Sequence, residues 1–241
     1  MADLVLGAGG AAAEAYTIDQ SLRFDGTSYL TRTPASATDR RTWTMSLWTK
    51  LDPTTQQQFI SVGSVGTTET RWGWGGAGYE YFEFKNYAGS TENETEARYR
   101  DPSAWYHLCL AVDTTQSVAR NRIKFYVNGE LIEDWQTTNL PTLNEELNVN
   151  NNVQHNIGRL ERGDQHELKS YLAEYYLIDG TAYAASDFGE TDSTTNQWKP
   201  IDASGLTFGT NGFYQKYAAT ELANSFFDSG NGGRHVVTAN G

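Results

Sequence analysis

Lys124-Phe125-Tyr126-Val127-Asn128-Gly129-Glu130-Leu131 is the stretch on which the fold turns. Phe125 and Val127 alternate with Lys124 and Tyr126, the two-residue period of a β-strand. Asn128-Gly129 then supplies the two left-handed residues that a tight hairpin needs, and Leu131-Ile132 resumes the strand. The same alternation recurs on both sides. Upstream, Trp43, Met45, Leu47 and Leu51 share one face, against Thr44, Ser46, Trp48 and Lys50 on the other. Tyr106, Leu108, Leu110 and Val112 alternate before the turn Asp113-Thr114-Thr115. Leu22 and Phe24 precede the turn Asp25-Gly26-Thr27-Ser28, and Phe59 to Gly63 is a short strand. Downstream, Asn156 to Arg159 is another short strand, and Tyr171 to Ile178 carries apolar residues on both faces, as a strand in the middle of a sandwich does. Helix is scarce, with at most a turn each in 142–148 and 184–188. Strands divided by turn signals, without helical crossovers, predict an all-β sandwich of two antiparallel sheets.

The chain has 241 residues, 38% of them apolar and 20% charged, enough to close one large core. Aromatic content is 13%, which favours sheet over helix. A net charge of -12 argues against nucleic acid and against anionic lipid surfaces, since both recruit basic proteins. The lone Cys109 allows no intrachain disulfide. No stretch reaches the roughly 20 apolar residues of a membrane span. Met1-Ala2-Asp3-Leu4 lacks the basic start of a signal peptide, so synthesis in a cytoplasm is expected, and with it an unmodified Asn93-Glu94-Thr95 sequon. Gly7-Ala8-Gly9-Gly10-Ala11-Ala12 imitates a dinucleotide fingerprint, but no βαβ pattern follows, and it reads as an extended arm. The expected layout is an arm at 1–20, a sandwich at 21–190 and a tail at 191–241. Phe208, Phe213, Tyr214, Phe226 and Phe227 oblige that tail to dock on the sandwich or on a neighbouring subunit.

Leu22-x-Phe24-Asp25-Gly26, Trp105-Tyr106-His107, Tyr126-Val127-Asn128-Gly129, Ile157-Gly158-Arg159 and Leu172-Ala173-Glu174 occur in the order seen in concanavalin A-like, laminin-G-like domains, which residues 21–188 resemble. A closer resemblance, over 16–233, is to the version found in structural proteins of tailed bacteriophages. It is carried by Tyr29-Leu30-Thr31-Arg32-Thr33-Pro34, Arg41-Thr42-Trp43-Thr44, Ala111-Val112-Asp113-Thr114-Thr115-Gln116, Asp187-Phe188-Gly189-Glu190-Thr191-Asp192, Gly209-Thr210-Asn211-Gly212-Phe213-Tyr214 and Asp228-Ser229-Gly230-Asn231-Gly232. The resemblance implies a concanavalin A-like jelly roll in a non-enzymatic virion protein, made in the host cytoplasm. Such a protein is displayed as a capsid decoration or fibre, contacts other capsid or tail proteins, assembles as a homo-oligomer and adheres to host-surface glycan. The competing readings are a carbohydrate-binding module or glycoside hydrolase of the same fold, a stand-alone lectin, and a tail fibre or other receptor-binding protein.

Hydrolases of this fold need two carboxylates on one face of a strand, as in Glu-x-Asp-x-Glu, and none occurs. Glu80 and Glu83 have odd spacing, and Glu92, Glu94 and Glu96 read as a solvated loop. The four histidines show no metal-ligand spacing, and His107, alternating with the core residues of its strand, is expected at the surface or an interface. Calcium is the metal such a resemblance implies, with turn-borne Asp25, Asp113, Asp164 and Asp179 as candidate ligands and turn capping as their alternative role. The glycan-binding candidate is Arg71 to Tyr81, where Trp72, Trp74, Tyr79 and Tyr81 are interleaved with glycine and could present flat rings to sugars. The alternative is that Trp72 and Trp74 simply fill the sandwich or an intersubunit contact.

Overall fold

A computed structural model describes residues 16–52, 54–64, 67–75, 78, 80–161, 166–217, 225–227, 229 and 236–240. Its architecture is the expected all-β sandwich. Among the described residues, helix is confined to two three-residue 3-10 turns, Ala119–Asn121 and Ala185–Asp187.

The first sheet is built around β13 (Tyr171–Asp179), β3 (Thr42–Thr49) and β8 (Tyr106–Asp113), with β9 (Ile123–Val127) and β10 (Glu130–Leu131) beyond β8. The free side of β13 is shared. β1 (Leu22–Arg23) pairs with its start, and β16 (Phe213–Gln215) pairs with its end. The second sheet runs β11 (Trp135–Asn139), β7 (Thr91–Thr95), β6 (Phe82–Asn86), β5 (Thr70–Trp74), β4 (Gln57–Val62), β12 (His155–Ile157), β2 (Tyr29–Arg32), β18 (Val236–Asn240) and β17 (Ser225–Phe227). The 191–241 region therefore adds strands to both sheets. A separate hairpin joins β14 (Gly189–Thr191) to β15 (Trp198–Pro200).

The faces follow the alternation. Trp43, Met45, Leu47, Leu108, Leu110, Phe125, Tyr175 and Leu177 meet Phe59, Trp72, Trp74, Phe82 and Phe84 in one core between the sheets. The outward face of the first sheet is also buried, where the sequence pattern predicts solvent. Thr44, Ser46, His107, Cys109 and Tyr176 are covered by a second cluster that includes Ala185, Phe188, Ala203, Phe208 and Tyr214. The segment 181–208 thus forms a third layer, and the double-sided apolar pattern of β13 reflects two cores.

Trp198 secures that layer. Its ring stacks on His107 at 5.7 Å and 29°, and its Nε1–H donates to His107 Nδ1 at 3.0 Å. The imidazole proton therefore sits on Nε2 and is donated to Ser46 Oγ at 2.9 Å. This overturns the surface position expected for His107. The indole also lies against the β9–β10 turn. Asn128 and Gly129 take φ of +49° and +84°, as a two-residue hairpin with a right-handed strand twist requires. A Cβ on Gly129 would stand 2.4 Å from the Trp198 ring.

Gly129→Ala is expected to destabilise the fold by about 2–3 kcal/mol, through left-handed strain plus overpacking on Trp198. Urea unfolding measures it, and a change within error would contradict this account of the tail's docking. Burial also pushes His107 down to about 3 and His155 down to about 4. Unfolded histidine titrates near 6.5. Below that pH the unfolded chain takes up protons that the fold refuses, so stability is full above about pH 7 and falls as pH drops. Each histidine is expected to cost about 2 kcal/mol at pH 5. Unfolding free energies equal at pH 7.5 and pH 5 would refute this.

Candidate functional site

The aromatic run does not form the site the sequence suggests. Trp72 and Trp74 are 1% and 0% exposed. They project into the main core, where Trp72 packs edge-on against Phe59 and Phe125. Neither ring can stack on a sugar, and their glycine-separated alternation is that of a core-facing strand. Tyr81 is buried with Arg98 over its ring at 5.4 Å. Tyr79 lies outside the described residues, as does Asp164.

Of the other calcium candidates, Asp25 and Asp113 cap their own turns and Asp179 bonds three distant segments. Asp25 Oδ1 accepts from Thr27 N, Ser28 N and Thr27 Oγ1, and the Asp113 carboxylate from Thr115 and Gln116. Asp179 accepts from Asp39 N and Asn150 Nδ2 on one oxygen and from Asn211 N on the other. Asp25 lies next to the β1 end of β13 and Asp179 at its opposite end, so the set does not converge. Among the described residues, no three His, Cys, Asp or Glu side chains form a metal cluster.

Glu92 and Glu94 lie in strand β7, where the sequence suggests a loop. The composition Thr-Glu-Asn-Glu-Thr is poor in strand formers, and the strand is held by a cation on its neighbour. Lys85 Nζ reaches Glu83 at 3.2 Å, Glu92 at 2.6 Å and Glu94 at 3.0 Å, while Arg71 Nε lies 3.3 Å from Glu83. Glu83 and Glu94 are direct cross-strand partners. Burial opposes the charge on Glu94, but bonds from Lys85, Gln136 and Tyr81 hold its carboxyl below the usual range. Glycosidic cleavage needs one carboxylic acid whose pKa is raised. Here Glu83 and Glu94 share the Lys85 ammonium, which makes an ion-paired ladder between the strands. Asn93, on the same strand, turns its side chain inward and is fully buried, out of reach of glycosylation.

An aromatic pocket that the sequence reading missed lies on the outer face of the first sheet. It has a volume of about 400 Å³ and is lined by Tyr16 to Ser21, Trp48, Trp105, Ala173 and Pro200. Trp48 forms an inner wall as an outward residue of β3. Trp105, 38% exposed, precedes β8 and meets Tyr171, 37% exposed, edge to face at 6.3 Å. Lys50 Nζ lies 5.7 Å from the centre of the Trp105 ring. Thr17 is bonded to Asp19, whereas the exposed Gln20 and Ser21 side chains make no hydrogen bond among the described residues and face the opening.

The polypeptide wall of this pocket is tied down at Tyr16. A bulge in β13 sets Glu174 and Tyr175 opposite one residue of β3 and gives Glu174 a φ of +48°. Its Oε2 then accepts from three phenols, Tyr16 at 3.0 Å, Tyr176 at 2.7 Å and Tyr214 at 2.5 Å. Burial and the Glu174 charge push these phenols up, so all three remain donors. The sequence signal was available: Glu174 is the one charged residue in an otherwise apolar strand core. What spacing alone could not supply was the bulge.

Comparisons with known proteins agree on the fold. The Laminin_G_3 family model, described as the concanavalin A-like lectin/glucanases superfamily, matches residues 24–185. No curated protein sequence matches significantly. The crystal structure of a candidate carbohydrate-binding protein from Bacteroides ovatus superposes with a TM-score of 0.60 at 17% identity, covering 92% of this chain and 58% of that one. The chain thus spans little more than half of that protein. The heptameric pentraxin of Limulus polyphemus gives a TM-score of 0.48 at 13% identity, covering 76% and 91% of the two chains. The mouse laminin α1 chain, domains LG4-5, gives 0.47 at 13% identity, covering 89% and 52%.

Proposed function

The chain belongs to the concanavalin A-like lectin/glucanases superfamily, and from that premise we propose that it is a non-catalytic carbohydrate-binding module whose ligand enters the Trp48–Trp105 pocket. The observation that carries this reading is an open pocket with aromatic walls, beside unpaired amide and hydroxyl groups of Gln20 and Ser21. Aromatic faces match the C–H faces of a sugar ring, and such rim groups match its hydroxyls. The similarity to the Bacteroides protein supports the fold on which this rests. The clamped state of Glu83 and Glu94 favours binding over hydrolysis.

As its setting we propose the surface of a tailed-bacteriophage particle, where the protein is a displayed decoration or fibre component. What supports this is the resemblance of segments across 16–233. Oligomeric display also fits a weak site. Stacking contributes about 1 kcal/mol per ring, which leaves single-site affinity in the millimolar range and transfers tight adhesion to many copies.

A glycan array probed with the full chain is expected to give hits whose affinity falls about five- to tenfold in Trp105→Ala, with the glycans recovered uncleaved. Absence of any hit, or equal affinity in Trp105→Ala and Trp48→Ala, would remove the pocket from consideration. Turnover lost in Glu83→Gln or Glu94→Gln would replace binding by catalysis. Mass spectrometry of purified particles tests the setting, which fails if the chain is absent from them.

A further inference from the structure

We propose a second saccharide site, on the other sheet, at the rim where the β6–β7 turn meets the edge strand β11. A cavity of about 280 Å³ lies there, lined by Lys85, Asn86, Tyr87, Ser90, Thr91, Glu92 and Asn139.

The side chains of this cavity divide into committed and uncommitted groups. Asn86 is committed: its carbonyl accepts from Thr70 Oγ1 and its amide donates to Glu145. Lys85 is surrounded by three carboxylates, Glu92 among them, so its charge is committed within the chain and the rim keeps a surplus of negative charge. Thr91 is 2% exposed and its hydroxyl is sealed from solvent, so it belongs to the packing of the turn. Two exposed groups are uncommitted: the Ser90 hydroxyl and the Asn139 side-chain amide make no hydrogen bond among the described residues. Ser90 holds a left-handed φ of +57° in the turn that carries these groups.

Tyr87 adds the flat surface. It is 40% exposed, and the Arg71 guanidinium lies 5.4 Å from the centre of its ring, which fixes its orientation. A ring presented in this way accepts stacking without reorganisation. A hydroxyl and an amide, each able to donate and accept, beside one aromatic ring and a surplus of negative charge, select a neutral polyhydroxylated ligand over an acidic one. Among the described residues, the one cation lining the rim, Lys85, is already held by three carboxylates.

The inference shares the ligand class of the Trp48–Trp105 pocket but none of its residues, so the two stand or fall separately. The test is amide NMR of the ¹⁵N-labelled full chain, titrated with methyl pyranosides of glucose, galactose, mannose and N-acetylglucosamine, with cellobiose, and with glucuronate. At least one neutral sugar is expected to shift the amides of Tyr87 to Glu92 and Asn139 with millimolar affinity, and to do so equally in Trp105→Ala. Asn139→Ala is expected to leave the melting temperature unchanged, because its exposed side chain makes no hydrogen bond among the described residues, yet to weaken this binding about fivefold. Tyr87→Ala is expected to weaken it about five- to tenfold. The site is overturned if no neutral sugar moves these amides, if glucuronate alone does, or if Asn139→Ala and Tyr87→Ala bind as the parent does. Loss of shifts only around Ser21, Trp48 and Trp105 in Trp105→Ala would bear on the other pocket and leave this one intact.

Discussion

The structure depends on the need of strand β13 to bury both of its faces. Tyr175 and Leu177 point into the main core, while Tyr176 and Ile178 point away from it and carry as much apolar surface. A two-sheet sandwich can cover only the first pair. The 181–208 segment covers the second, with its Phe188 and Phe208, and Tyr214 of the neighbouring strand β16, stacked or tilted around Tyr176. The remainder follows from this arrangement. His107 becomes a buried hydrogen-bond relay, Trp198 becomes a clasp against Gly129, and Glu174 becomes an anchor for the N-terminal segment. The aromatic pocket is the place where the covering layer stops short of Trp48 and Trp105, so it is a by-product of the third layer as well as a candidate site.

Much of this was legible from residue order. The two-residue period fixed which side chains of β3, β8 and β9 share a face, and Asn128-Gly129 located the hairpin to the residue. Periodicity does not say which face is inside, and there the reading of Trp72 and Trp74 failed. Their glycine neighbours resembled a display loop, yet Gly73 is a strand position where a Cβ would meet the Gln57 carbonyl at 2.3 Å. The acidic segment 92–96 was opaque for a different reason. Its strand character comes from Lys85 across the ladder, a tertiary partner that local propensity cannot register. Asp25 and Asp113 bond their own turns, and Asp179 ties together Asp39, Asn150 and Asn211, contacts that spacing could not foretell. Trp48 and Trp105 do not read as a pair from spacing, because Trp48 lies in β3 and Trp105 just before β8, and only the pairing of those strands brings them together.

Four glutamates gather on one face of the second sheet and share two cations: Glu69 and Glu83 face Arg71, and Glu83, Glu92 and Glu94 face Lys85. The cluster is ion-paired yet keeps an excess of negative charge, part of the net charge of -12. A surface of that kind leaves recognition to short-range contacts with neutral groups.

The position of β18 has a consequence for how the molecule comes into being. It pairs with β2, so that Asn240 bonds Thr31 across 209 positions of sequence, and it separates β2 from β17 within the sheet. β13 likewise waits for β16 before its second edge is paired. Contacts this remote in sequence close late, because the loop entropy must be overcome before any pairing energy is gained. Folding is slow, and until β18 arrives β2 offers an unpaired edge that a chaperone or a neighbouring nascent chain could occupy.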